Sequence, residues 1–176
     1  MAFSFFDLDD NTRAMMLDEL RHDLQSSRVY ISTRLNDFGV KQYPTLLQNA
    51  LEKDTEQTLA KELQSGCFKT HEQRRSPKGN STPVAVPSNA HEILAEGEFN
   101  RYYIRAICRR AINESCQLQV YRAKPVMNPR PESRPKEGQS VDPQELLTDL
   151  RNNIGIDTHL GLPAGPNSGM SVRLLV

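Results

Sequence analysis

Residues 88–123, SNAHEILAEGEFNRYYIRAICRRAINESCQLQVYRA, constrain this chain more than any other stretch. At 100° per residue, Phe99, Tyr103, Ile107, Ile104, Ala111 and Cys108 share one apolar helix face. Arg101, Arg105 and Arg109 recur at i, i+4 and i+8 on the opposite side, with Arg110 nearby. Ser88 or Asn89 caps the start, and Asn89 with Glu92 fits a capping box. Gly97 is expected to break the helix and leave 98–113 as its well-formed part. After the turn Asn113-Glu114-Ser115, Cys116, Leu118 and Val120 alternate with Gln117, Gln119 and Tyr121, which predicts a strand. A long helix feeding directly into a strand sets the centre of an α+β fold.

The flanking pattern predicts three or four helices on a short sheet. Asp9, Asp10 and Asn11 precede Leu17, Leu20 and Leu24, giving a first helix with acids at its positive end. Residues 28–34 alternate Val29, Ile31 and Thr33 against Arg28, Tyr30 and Ser32, as a half-buried strand does. Pro44 suits a helix first turn, with Leu46, Leu47, Ala50 and Leu51 on one face. Asp54-Thr55-Glu56-Gln57 fits a capping box that restarts a segment carrying Leu59 and Leu63 and ending at Gly66. One bent helix and two separate ones both satisfy this pattern.

Three irregular runs interrupt the periodic segments. Residues 70–87 are polar, carry Pro and Gly, and read as a mobile loop within a core spanning 1–123. Residues 124–142 read as a proline-rich extended arm, since so many prolines exclude helix and central strand. In 143–176, Asp142 caps a short helix with Pro143 first and Leu146, Leu147 and Leu150 inward. A Gly/Pro-rich arm at 155–169 follows, and Met170, Val172, Leu174 and Val176 alternate as a last strand. That strand is expected to return to its own sheet, adding to a neighbour's edge being the alternative.

Net charge is zero over 176 residues, but the halves differ. Residues 1–66 hold 7 basic and 11 acidic side chains, and residues 69–136 hold 13 and 6. Such polarity suits a charge-complementary protein neighbour first and nucleic acid second, because a chain with no net charge attracts DNA weakly. Cys67, Cys108 and Cys116 are odd in number and lack C-x-x-C spacing, as reduced thiols do. The start MAFSFFDLDD carries acids where a signal peptide needs bases, and no run approaches the roughly 20 apolar residues of a membrane span. The expectation is a soluble chain made in the cytoplasm, with no membrane partner.

No spacing in the chain matches known catalytic chemistry. Cys67 and His71 are the only close soft-ligand pair, and zinc needs three or four ligands. His91-Glu92 lacks the second histidine of a zinc-protease motif, and GLPAGPNSG lacks the Gly-Lys-Ser/Thr ending of a phosphate-binding loop. We therefore expect no enzyme activity, no catalytic or metal-binding residues and no cofactor. Basic side chains remain as candidates. Arg101, Arg105, Arg109, Arg110, Arg130, Arg134 and Lys136 are the candidate interface residues. Alternatively, Arg74, Arg75 and Lys78 of the 70–87 loop, with Arg101, Arg105 and Arg109, would track phosphates as a nucleic-acid-binding or regulatory surface within 69–136.

Three stretches carry a family resemblance: AEGEFNRYYIRAICRRAI (95–112), VYRAKPVMNPRPES (120–133) and LGLPAGPNSGMSVRL (160–174). Together they resemble small proteins of tailed phages and prophages that are often encoded among virion structural genes. The similarity extends over most of the chain and includes FSFFDLDDNTR at its start. The resemblance implies a head, neck (connector) or tail-attachment component of the virion. It would act as a homo-oligomer through contacts with copies of itself and with other virion proteins.

Overall fold

A computed structural model describes residues 2–75, 79–127, 131–155, 161–162 and 169–175, with the side chains of 132 and 133 excepted. Among these residues the fold is α+β, with five α-helices and two small antiparallel sheets. In chain order the elements are α1 (Asp10–Gln25), α2 (Asp37–Glu52), α3 (Glu56–Gln64), β1 (His71–Arg75), β2 (Ser81–Ala85), α4 (Ala90–Glu114), β3 (Gln117–Arg122), β4 (Ser140–Val141), α5 (Pro143–Asn152) and β5 (Met170–Leu175). The five helices exceed the three or four expected because the leucine-rich stretch divides into α2 and α3.

Helix α4 is the axis of the molecule. It runs unbroken through Gly97 for 25 residues and packs against α1, α2, α3, α5, β3 and β5. All eleven residues from Glu98 to Cys108 are buried, so the helix is enclosed on every side. Asn89 precedes it without a side-chain cap, so the expected capping box does not form. Ser115 closes the other end in the left-handed region at φ 55°.

Strand β3 follows as expected and is central in the order β4-β3-β5. Both pairings are antiparallel, with Leu118 opposite Leu174 and Val120 opposite Val172. The terminal strand thus returns to its own sheet. Cys108 is buried and Cys116 half-buried against the core. Gly169 makes the final entry possible: at φ 66°, a Cβ there would stand 2.2 Å from the Lys124 carbonyl oxygen.

Several local expectations are corrected. Residues 28–34 form no strand; only an isolated bridge joins Leu35 to Phe68, and Ser32 is buried where Ile31 is exposed. Helix α2 begins at Asp37, seven residues earlier than Pro44 suggested, because Asn36 caps it by accepting from the Gly39 N–H at 2.8 Å. Pro44 therefore lies inside the helix. Gly39 is required by close approach, since a Cβ there would meet the Cys67 carbonyl oxygen at 2.1 Å. Thr55, not Asp54, caps α3. Gly66 follows that helix at φ 78°, as its cap role requires.

The 70–87 stretch is a hairpin rather than a loop, with His71 opposite Ala85 and Arg75 opposite Ser81. The described part of 124–142 is no extended arm either. Pro131–Lys136 forms a 3-10 helix, Ser140–Val141 pairs with β3, and Gly138 N–H donates to the Val120 carbonyl. Helix α5 agrees with expectation, capped by Asp142 with Pro143 first and Leu146, Leu147 and Leu150 buried. Most of the Gly/Pro-rich arm at 155–169 lies outside the described residues.

Candidate functional site

The arginine stripe of α4 does not face solvent. Helix α1 turns Thr12, Met16, Glu19, Leu20 and Asp23 inward, while Leu24, expected inside, is 41% exposed. Glu19 and Asp23 stand one helical turn apart and receive Arg105 between them. Its Nε donates to Glu19 Oε2 at 2.8 Å, and its two terminal nitrogens donate to the Asp23 oxygens at 2.5 and 3.1 Å. Tyr102 donates its hydroxyl to Asp23 at 2.9 Å and lies 5.0 Å beneath the Arg105 guanidinium. From α5, Arg151 donates to both Glu19 oxygens at 3.0 and 2.5 Å. Side-chain exposure is 1% at Arg105, 2% at Glu19 and 3% at Asp23.

Burial alone would push both carboxyls up. At Glu19 the Arg151 hydrogen bonds and the Arg105 and Arg151 charges outweigh it, holding the group below its ordinary value. At Asp23 the Arg105 hydrogen bonds and charge do the same, with help from Tyr102. The result is a paired, hydrogen-bonded clamp joining α1, α4 and α5. Its carboxylates accept from fixed donors and its guanidinium groups are enclosed, so it holds helices together and presents nothing to a substrate.

The neighbouring arginines are held within the chain too. Arg109 reaches the Met15 carbonyl and Glu19, both at 3.4 Å. Arg110 bonds Asp9 at 2.8 Å, Thr12 at 2.9 Å and Glu114 at 3.0 Å, tying the end of α4 to the start of α1. Arg101 donates to the Asn153 carbonyl at 2.6 Å and stands 3.7 Å from Glu98. The expectation that Arg101, Arg105 and Arg109 form an exposed interface or phosphate-tracking face is thus corrected. Their spacing matches the paired acids of α1, not a row of phosphates.

Glu98 differs from the other acids. Burial raises its pKa to about 7, against the opposing Arg101 and Arg105 charges. The Tyr43 hydroxyl, also buried, has no hydrogen-bond partner among the described residues. Burial and the nearby Glu98 carboxyl raise its pKa well above the ordinary value. Among the described residues, no group of three or more His, Cys, Asp or Glu side chains could hold a metal ion. No described helix is long and apolar enough to cross a membrane.

The remaining basic candidates divide. Arg130 and Lys78 lie outside the described residues. Arg134 is exposed on the 3-10 helix, and Lys136 donates to the Gly161 carbonyl at 3.2 Å. Arg74 and Arg75 project from the hairpin, where Arg74 is 66% exposed and 3.8 Å from Glu72. The sequence reading missed the acids of α1 and the aromatic start of the chain. Phe5 packs with its ring tilted against Tyr103 at 4.5 Å and Phe99 at 5.4 Å, and Phe6 against Tyr121 at 5.0 Å. Ser4 N–H donates to the Ala123 carbonyl, strapping this segment to the end of β3. The alternation of Phe3 and Phe5 was a readable signal for this.

No protein-family profile matches the chain, and no curated protein or solved structure is significantly similar to it.

Proposed function

We propose that this chain is a non-enzymatic structural component of a tailed-phage virion, a head, neck or tail-attachment protein acting through subunit contacts. The observation that carries the reading is the hairpin β1–β2. It extends from the helical body, makes no extensive contact with any other element, and is exposed at eight of its ten residues. An isolated two-stranded hairpin is marginal in water, so a surface from outside the chain is the natural source of its stability. Behind it, the Arg105 clamp fixes α1, α4 and α5 as one block from which a projecting element can act. The resemblance of 95–112, 120–133 and 160–174 to phage and prophage proteins points to the particle as the setting.

Quantitative mass spectrometry of purified particles from a strain encoding the chain tests this. A fixed ratio to the major capsid protein is the expected result, and the copy number would distinguish shell from neck or tail. Abundant chain in the lysate with none in particles would overturn the reading.

A further inference from the structure

We infer that the β1–β2 hairpin is a nucleic-acid contact, a ribbon that places Arg74 and Arg75 against the phosphates of a duplex. The inference rests on the reading of the chain as a virion component that docks through this hairpin, and it gives this one element to nucleic acid, leaving the subunit contacts of that reading to the rest of the surface.

Charge on the folded molecule leads to the ribbon. Much of the basic excess of 69–136 is neutralised internally: Arg105 and Arg109 by acids of α1, Arg110 by Asp9 and Glu114, Lys124 by Glu96, and Arg122 by Glu137. Glu19 and Asp23 of α1 are thereby occupied. Within the ribbon, Glu72 is held by two hydrogen bonds from Arg34, at 2.7 and 3.0 Å. Arg74 is left with a 3.8 Å approach to that carboxylate, and Arg75 has no ion pair among the described residues. Lys69 adds an exposed cation at the base, its ammonium on the Thr33 carbonyl.

Geometry then favours phosphates. Successive strand residues point to opposite faces, so Arg74 and Arg75 emerge on the two sides of the ribbon. Each faces a hydroxyl residue across the pairing, Thr82 and Ser81 respectively. Those hydroxyls already donate within the ribbon, Thr82 to the Arg74 carbonyl and Ser81 to the Gln73 side chain, so the two guanidinium groups are the donors for phosphate oxygens, and the major groove of a duplex admits a two-stranded ribbon with phosphates on either side. A protein interface needs apolar anchors at its centre. Here the exposed residues are His71, Gln73, Arg74, Arg75, Ser81, Thr82, Pro83 and Ala85, with no aromatic or large aliphatic side chain. Strand addition is disfavoured on the β2 edge, because Pro83 sits where an N–H would point outward.

The test is fluorescence anisotropy of a labelled 20-base-pair duplex of mixed sequence, with the full chain and its Arg74→Ala/Arg75→Ala variant, across salt. Contacts from Lys69, Arg74 and Arg75 give a log–log salt slope near −2.7, or a loss of about 40-fold between 50 and 200 mM salt. The variant should lose about 1.8 of that slope with its circular dichroism and Tm unchanged, whereas Lys41→Ala/Lys53→Ala, in and just after α2, should bind as the parent does. No binding at about 50 mM salt, or equal binding by the arginine variant, overturns the inference. Binding of poly-glutamate in place of the duplex, dependent on both arginines, overturns it in favour of an acidic protein surface. Presence in particles without duplex binding would sink this inference alone; duplex binding with absence from particles would sink the virion reading alone.

Discussion

Replacing Arg105 by methionine tests the central claim, that α1 and α4 are joined by a buried charge clamp. Methionine keeps most of the side-chain volume, so the main loss is charge. Glu19 would retain both Arg151 hydrogen bonds and the Arg109 approach. Asp23 would keep only the Tyr102 hydroxyl at 2.9 Å and His22 at 3.4 Å, the latter on a ring 57% exposed. One carboxylate at 3% exposure is thus orphaned, and breaking a buried pair in this way costs about 3–5 kcal/mol. For a domain of this size that lowers Tm by roughly 6–20 °C. The pH dependence must also change sign. In the parent, Asp23 is held below its ordinary value, so its contribution is present at neutral pH and lost as pH falls through its folded pKa. In the variant, burial without arginine raises the Asp23 pKa above its unfolded value, so destabilisation is greatest at neutral pH and shrinks toward about pH 4. Adding Asp23→Asn should recover more than half the loss at about pH 7 by removing the orphaned charge. Urea denaturation followed by circular dichroism at the two pH values measures all of this. A loss under about 1 kcal/mol at neutral pH, or one independent of pH, would refute the clamp.

Glu98→Gln should stabilise the chain at alkaline pH. With its folded pKa raised to about 7, the parent carboxyl contributes fully below its unfolded value and that contribution fades as pH rises through about 7; the difference is on the order of 3 kcal/mol by about pH 8, read from denaturation midpoints across pH. Gly39→Ala should cost about 1–3 kcal/mol, because the new Cβ meets the Cys67 carbonyl oxygen, which belongs to backbone and cannot swing aside; an unchanged Tm would mean the contact is looser than described. Pro44→Ala should raise stability by about 2 kcal/mol, restoring an N–H bond to the Val40 carbonyl at the cost of a more flexible unfolded chain. A neutral or negative result there would show that the ring's packing outweighs the missing hydrogen bond.

Helix α5 and strands β3 and β5 were legible because their signals are local. Asp142 followed by Pro143 states a start whatever lies nearby, and Leu118/Val120 against Val172/Leu174 states a buried sheet face. Helix α2 was misplaced because two start signals competed. Pro44 tolerates a first turn, but Asn36 three residues before Gly39 could cap and also donate to the Gly66 and Phe68 carbonyls. That second role depends on the chain returning 30 residues later, which no local window contains. Hairpin β1–β2 was missed for a related reason. Its strands lack an apolar face, so the alternation that marks a half-buried strand is absent, and pairing alone defines it.

Arg105 shows why the stripe misled. A helical wheel sorts residues by polarity, and it assigns an arginine row to solvent unless a matching acidic row is sought elsewhere. Such a row exists here: Glu19 and Asp23 share the four-residue spacing of Arg101, Arg105 and Arg109, on the side of α1 that also carries Met16 and Leu20. Glu19 follows Met16 by three residues and precedes Asp23 by four, so the acids lie on the apolar face rather than opposite it. Charge placed within an apolar stripe demands a buried counter-charge, since an unpaired carboxylate there is too costly to keep. The zero net charge of the chain is therefore partly a product of its core. Only the cations left after that pairing bear on partners, and Arg74 and Arg75 on the exposed ribbon are the clearest of them.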